Sequence, residues 1–210
     1  MIELTDAKRR FVERLKRVES ATAPELAAHF GLTDTAARQH LEALEAAGLV
    51  RRGQPQRDGR GRPPVVWTVT PEADAYFPDR HGELSVELIH AIRDATGEDG
   101  LAAVVEARAA RQLAAYRTRI HPDASLPERI QALAALRSDE GYLAEVEAGD
   151  EAITLLEHHC PVGDAADACG ALCQSELQVF QSLLGPDATV RRTQHRVAGD
   201  ARCTYEISPN

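Results

Sequence analysis

The sequence predicts a mixed α+β protein with an N-terminal winged helix-turn-helix, central amphipathic helices and a small C-terminal α+β sheet domain that carries the cysteines. Three short segments before residue 50 have apolar residues at helical spacing. β-branched runs then flank a Gly- and Arg-rich segment, and after residue 140 two further pairs of short strand patterns surround a helical one. We therefore predict three regions, residues 1–70, 71–140 and 141–210.

Charge is divided unevenly along the chain. Residues 1–70 hold 12 Lys and Arg against 9 Asp and Glu, whereas residues 71–210 hold 12 against 24. DNA phosphates attract a basic region and repel an acidic one. The net charge of -9 is therefore compatible with a protein that contacts double-stranded DNA through its N-terminal region alone.

Apolar and charged residues are distributed as in a cytoplasmic protein. The sequence contains no run of about 18 apolar residues, and its first 20 residues are rich in Lys and Arg, so we expect neither a membrane span nor a secretory leader. Thiols stay reduced in the cytoplasm. We therefore predict that the four cysteines, all after residue 159, are ligands or reactive thiols in preference to disulfides.

The first 50 residues contain the helix start and stop signals of a helix-turn-helix. A first helix is predicted after Thr5, the capping-box pair Thr22 and Glu25 predicts a second that ends at Gly31, and a third begins after Thr33. The last of these helices would lie in the major groove, where the exposed residues at its N-terminus reach base edges. These candidate DNA-reading residues are Thr33, Thr35, Ala36, Arg38, Gln39 and His40.

A wing is predicted next. Two β-branched segments, residues 49–52 and 65–70, flank a loop that is dense in Arg, Gly and Pro. Arginines on a glycine-rich hairpin can approach the phosphate backbone or enter the minor groove. The candidates are Arg57, Arg60 and Arg62.

Residues 71–140 have the pattern of amphipathic helices and contain no candidate catalytic or ligand residues. The pair Thr70 and Pro71 predicts a helix start, a break falls at residues 97–100, and the pair Ser125 and Glu128 begins a further helix. We interpret this region as a dimerisation surface, since helix-turn-helix proteins usually bind two half-sites as homodimers. Packing against the C-terminal region of the same chain is the alternative.

The C-terminal region is predicted to hold two hairpins and one helix. Strands are expected at residues 142–147 and 153–158, a helix at about 164–184, and a second hairpin at 189–197 and 202–207 around Gly199 and Asp200. The sheet should bring one end of the first hairpin, the start of the helix and the second hairpin together.

Four cysteines lie in this region: Cys160, Cys169, Cys173 and Cys203. None forms a C-x-x-C pair, which disfavours a zinc ribbon or a thioredoxin motif. Thiolates that the fold gathers suit an iron-sulfur cluster, which tolerates varied ligand separations. Burial of the cysteines as small apolar side chains is the competing explanation.

Five segments of the chain carry a family pattern: residues 21–50, 59–63, 156–161, 172–177 and 195–205, which include His158-His159-Cys160-Pro161, Cys173-Gln174-Ser175-Glu176 and Cys203-Thr204-Tyr205. In these segments, and along most of its length, the sequence resembles the SufR family of iron-sulfur-dependent repressors, which control cluster-assembly genes. The resemblance implies a homodimer whose cluster-loaded form binds the operator, with Cys160, Cys173 and Cys203 as ligands of a [2Fe-2S] or [4Fe-4S] cluster.

Two positions depart from the family pattern. His159 stands where the family usually has Asn, and Cys169 stands at a position that is commonly apolar. Cys169 is therefore expected to be either a fourth metal ligand or a buried thiol. His195 is another candidate fourth ligand, although a two-residue hairpin loop would place it opposite Thr204 and on the other face from Cys203.

Two other functions use the same thiols. The cysteines could form a thiol redox switch or a zinc site without iron, or the chain could be an enzyme or a cluster carrier. We find no nucleophile–base pairing, phosphate loop or Gly-rich cofactor motif, and a carrier needs no recognition helix. The sequence therefore predicts a DNA-binding regulator that is not an enzyme and has no small-molecule substrate.

Overall fold

The protein consists of two compact units, Met1–Asp79 and Arg80–Asn210. The computed structural model describes residues 4–53 and 65–210. It is a mixed α+β structure with a helix-turn-helix in the first unit and helices and a small antiparallel sheet in the second, as predicted. Within residues 4–53 and 65–210, no helix combines the length and the apolar character that a membrane crossing requires.

Three helices and a three-stranded antiparallel sheet form the first unit. The strand order is β1-β3-β2, and a 3-10 helix at Pro71–Tyr76 follows the last strand. The two-residue strand β1, which pairs with β3, was not predicted, because two residues are too few to show an alternating pattern. The elements are α1 (Asp6–Val18), β1 (Ala21–Thr22), α2 (Ala23–Phe30), α3 (Asp34–Ala46), β2 (Val50–Arg52) and β3 (Val66–Val69).

The predicted helix starts and stops in this unit are confirmed. The Thr22 amide donates to Glu25 Oε2 at 2.7 Å, and the Glu25 amide donates back to Thr22 Oγ1 at 3.4 Å. Gly31 ends α2 in the left-handed conformation, with φ of 67°. Thr33 accepts a hydrogen bond from the Ala36 amide at 3.2 Å and so caps α3.

The helices of the first unit enclose a core of their own. Phe11, Leu15, Leu26, Leu41 and Leu44 are at most 1% exposed. Trp67 of β3 is buried in the same cluster. The hairpin therefore closes the core of the three helices.

Four α-helices and a four-stranded antiparallel sheet build the second unit. The sheet order is β4-β5-β7-β6. Gly97 interrupts the long helix α4 with φ of 73°, where the sequence predicted a break, and the capping box of Ser125 and Glu128 at the start of α5 is confirmed. The elements are α4 (His81–Arg117), α5 (Leu126–Asp139), β4 (Ala144–Ala148), β5 (Ile153–Glu157), α6 (Gly163–Ala168), α7 (Ala171–Leu184), β6 (Ala188–Gln194) and β7 (Cys203–Pro209).

The predicted single helix over residues 164–184 is wrong. The chain forms two helices, because Cys169 has φ of -146° and ψ of 89° and so leaves the helical region. Gly170 follows and is the N-cap of α7. Glycine has a low helix propensity, which favours a break at this point.

The second hairpin is observed, but its first strand, predicted at residues 189–197, ends earlier. Strand β6 ends at Gln194, which pairs with Thr204, so His195 does not lie in the ladder opposite Thr204. The connection is longer and contains a 3-10 helix at Arg196–Ala198. The Asp200 carboxylate accepts a hydrogen bond from the His195 amide at 2.7 Å and stabilises the wider loop.

The central helices share a core with the C-terminal sheet. Ile130, Leu133, Leu155, Phe180 and Tyr205, from α5, β5, α7 and β7, are fully buried in one cluster. Tyr116 of α4 belongs to the same cluster. Packing within the same chain, the alternative for residues 71–140, is therefore observed.

Candidate functional site

The N-terminal part of α3 presents a polar surface. Thr33, Thr35, Arg38 and Gln39 are exposed, whereas Ala37 on the opposite side is fully buried. This division leaves the Thr35 hydroxyl, the Arg38 guanidinium and the Gln39 amide exposed toward a duplex, while the apolar side anchors the helix.

Two of the six candidate residues on α3 are less accessible. Ala36 is partly buried, and the partly buried ring of His40 lies 5.0 Å from the ring of Phe11, measured between centroids. His40 therefore contributes to packing of the first unit as well as to its surface. The wing arginines Arg57, Arg60 and Arg62 fall outside the described residues.

All four cysteines line one cavity of about 340 Å³ in the second unit. Cys160 lies just after β5, Cys173 in the first turn of α7 and Cys203 at the start of β7. Cys169 lies at the break between α6 and α7. The fold thus gathers thiols from segments that are up to 43 positions apart in the sequence.

The four thiols differ in burial. Cys160, Cys173 and Cys203 are partly exposed, whereas Cys169 is buried and packs with Leu101 and Val105 of α4. The three candidate ligands are thus more accessible than Cys169, whose neighbours are mainly apolar.

His159, which occupies the Asn position of the family pattern, and His195 differ in their relation to the cavity. His159 lines the cavity and is exposed. His195 is not among the cavity-lining residues, and its Nε2 atom is buried without a hydrogen-bond partner among the described residues.

Burial keeps two of the thiols protonated. It raises the pKa of Cys173 to about 11, with a smaller contribution from the negative charge of Glu176. Burial also raises the pKa of Cys203, although the backbone amide of Arg196 opposes the shift. A metal that binds here must therefore displace protons, since the thiolate is the ligand.

Basic groups line the cavity together with the carboxylates of Glu157 and Glu176. The Arg196 amide donates to Cys203 Sγ at 3.5 Å, and the guanidinium of Arg192 donates to the backbone carbonyl of Cys173. Arg196, Arg108 and Arg202 line the cavity. Positive charge and N–H donors aimed at sulfur stabilise an anionic, thiolate-bound group.

A buried ionic network includes two of the residues that line the cavity, Glu157 and Glu176. Arg137 of α5 is 0% exposed and donates from Nε to Glu157 Oε1 at 2.5 Å and from Nη2 to Glu176 Oε1 at 2.5 Å. The hydroxyl of Tyr205 donates to Glu176 Oε2 at 3.0 Å. Glu157 pairs with Cys203 in the sheet, and Glu176 lies one turn beyond Cys173, so the network joins two thiol-bearing elements to α5.

Sequence reasoning missed Arg137, Glu157, Glu176 and Arg196. Glu157 and Glu176 lie in the matching segments 156–161 and 172–177, each three residues from a cysteine, and that spacing is the signal that could have singled them out. Arg137 lies in a helix with no motif, and its neighbours come from other elements.

The residues of the cavity fit a thiolate-bound inorganic group. The donors are soft sulfur atoms, and Nε of Arg196 is a buried donor with no partner among the described residues. Within residues 4–53 and 65–210, no group of three or more His, Cys, Asp and Glu side chains is placed to hold a single metal ion.

Comparison with known proteins identifies the N-terminal region. The helix-turn-helix domain family matches residues 6–53. The first unit carries a helix-turn-helix domain. This match supports a DNA-binding transcriptional regulator rather than an enzyme, and it covers less than a quarter of the chain. A comparison with curated proteins finds no match.

Among solved structures, the chain is similar to the crystal structure of the phenol-responsive sensory domain of the transcription activator PoxR with phenol. The sequences are 14% identical, the TM-score is 0.40, and the similarity covers 61% of this chain and 74% of that one. At this level the similarity indicates neither a shared fold nor a shared ligand.

Proposed function

We propose that the protein is a transcriptional repressor of iron-sulfur assembly genes whose operator binding depends on an iron-sulfur cluster held by Cys160, Cys173 and Cys203. The observation that carries the proposal is the convergence of these three thiols, from three elements, on one cavity. The helix-turn-helix domain supports the DNA-binding part. The resemblance to the SufR family supplies the genes and the sign of regulation.

The chain's own residues would hold the group and transmit its presence. Cys160, Cys173 and Cys203 bind it as thiolates, and a bound cluster would supply a redox-sensitive link between β5, α7 and β7. Leu101 and Val105 of α4 pack against Cys169 at the same cavity. Since α4 begins two residues after the end of the first unit in the chain, the cavity wall and the DNA-binding region are connected through this helix.

The required coupling is modest. A cluster can alter DNA binding only through its different affinities for the binding and non-binding conformations. A tenfold change in operator affinity corresponds to about 1.4 kcal/mol. Ordering of three elements around one group can provide this amount.

Individual cysteine variants test the ligand set. The full-length protein, purified without oxygen, should be brown and release iron and acid-labile sulfide, and Cys160→Ser, Cys173→Ser and Cys203→Ser should each lose most of both. Cys169→Ser, a matched change in the same cavity, should retain them, because Cys169 packs mainly against apolar residues. Retention in all four variants would refute the ligand assignment.

DNA binding tests the regulatory step. Duplexes selected from random sequence by the loaded protein should bind the metal-free protein at least tenfold more weakly at the same salt concentration. Equal binding of the two forms would exclude control by the cluster.

The presence of a fourth thiol in the cavity favours one other candidate, a thiol redox switch that controls the same DNA-binding region. This candidate predicts a colourless, metal-free protein when it is prepared without oxygen. Metal and sulfide analysis of the wild-type protein separates the two proposals.

A further inference from the structure

Arg196 holds together two segments that bear candidate ligands. It begins the 3-10 helix between β6 and β7, and its backbone amide donates to Cys203 Sγ at 3.5 Å. Its Nη2 atom donates to both carboxylate oxygens of Asp167 in α6, at 3.1 and 3.3 Å. One residue therefore contacts the start of β7 and the helix that follows Cys160.

Gly163 provides the space for this guanidinium. A Cβ atom at Gly163 would lie 2.7 Å from Nη2 of Arg196, closer than real contacts allow, and 3.2 Å from Cζ, which is tighter than most real contacts. Because only the far end of a flexible side chain would have to move, a methyl group there should displace the guanidinium while the fold persists. Gly163→Ala thus moves the charge without removing it.

The charge of Arg196 lies beside a candidate ligand. Burial lowers the pKa of Arg196, but the hydrogen bond and charge of Asp167, followed by the charge and hydrogen bond of Cys160, raise it above its ordinary value. Asp167 accepts only from Nη2, and Nε is buried without a partner among the described residues. A bound acceptor would supply the partner that this Nε–H lacks.

We propose that Arg196 donates its Nε–H to the anionic group that the three thiols hold, and that Gly163 and Asp167 position it for this contact. The inference rests on the proposed function and adds a specific electrostatic role. A positive charge and an N–H donor beside a cluster favour its reduced form, which carries one more negative charge. Arg196 therefore raises the reduction potential of the cluster.

Reduction potentials of the loaded full-length protein test the role. In Arg196→Met, the equilibrium constant for one-electron reduction should fall at least tenfold, which corresponds to a potential about 59 mV more negative. Arg196→Lys should fall in between, since an ammonium keeps the charge but not the planar guanidinium donors. Gly163→Ala should shift the potential in the same direction as Arg196→Met.

Combination and control variants distinguish this role from a general structural one. The double variant Gly163→Ala/Arg196→Met should match Arg196→Met alone, because both changes remove the same contact. Arg191→Met removes the exposed pair between Arg191 and Glu206, 2.8 Å apart, and should leave the potential unchanged.

The outcomes separate the two proposals. A loaded wild-type protein in which Arg196→Met and Gly163→Ala behave like Arg191→Met would overturn the role of Arg196 and leave the proposed function standing. A wild-type protein that retains neither iron nor sulfide would overturn both. A double variant whose potential shifts by the sum of the two single-variant shifts would also contradict the proposed contact, because the two changes would then act independently.

Discussion

At the scale of single residues, Arg137 organises the second unit. Its guanidinium pairs with Glu157 and Glu176, its Cζ lies 3.3 Å from the ring centroid of Tyr142, and Nη1 donates to the hydroxyl of Tyr116 at 3.3 Å. Burial lowers the pKa of Arg137, but the two carboxylates raise it well above its usual range, so it stays charged. A charge in such a place depends on its partners for stability.

We expect Arg137→Met to lower the free energy of unfolding by about 3–5 kcal/mol, because two buried carboxylates lose their counter-ion. Arg119→Met is the matched control, since Arg119 pairs with Asp139 at 3.0 Å on the surface and should contribute at most about 1 kcal/mol. Denaturant unfolding of the metal-free protein measures both. Equal, small effects would show that the network contributes no net stability.

Glu157 should make stability depend on pH. Burial raises its pKa to about 7, although Arg137 opposes the shift. The folded protein then binds more protons than the unfolded chain between pH 4.5 and 7, so its stability falls as pH rises across this range. Unfolding of metal-free protein at pH 5, 6 and 7 should show the decline, and Glu157→Gln should flatten it. A wild-type stability that rises across this range would contradict the shift.

At the scale of elements, local capping signals were the best guide to the structure. The two capping boxes and the stop at Gly31 depend on residues within a few positions, and all three are confirmed. The long connection between β6 and β7 and the break at Cys169 were missed, although both involve nearby residues. Asp200 stabilises the β6–β7 loop through the amide of His195, and Gly170 follows the break at Cys169, but neither residue alters the apolar spacing from which the strands and the helix were predicted.

Thr22→Ala should destabilise the helix-turn-helix. Loss of the cap on α2 should cost about 1 kcal/mol in unfolding free energy, measured by the fluorescence of Trp67, the only tryptophan, which is buried in the first unit. The hydrogen bonds from the backbone and side chain of Thr22 lower the pKa of Glu25, so the contribution of Glu25 should be lost as pH falls through its folded pKa. Thr22→Ser keeps the hydroxyl and should retain most of the stability.

At the scale of the whole molecule, the predicted homodimer is still a proposal. Leu84 and Leu88 lie one turn apart on α4 and are 50% and 53% exposed in the single chain. A second copy of the chain could bury these two apolar side chains in a dimer interface. We expect Leu84→Asp to weaken self-association at least tenfold in sedimentation experiments. Leu143→Asp, at another exposed apolar residue whose φ of 50° Asp tolerates, should leave the association state unchanged. Identical behaviour of the two variants would place the interface elsewhere.

The sequence by itself determined the helix-turn-helix, the mixed α+β class and the set of candidate thiols, because caps, periodicity and residue type are local properties. It left open whether Cys169 packs as a buried thiol, and it did not single out Arg137, Glu157, Glu176 or Arg196. Only the tertiary structure decided those points. The free energy of a buried charge or thiol depends on neighbours from distant segments, and sequence spacing carries no record of which segments meet.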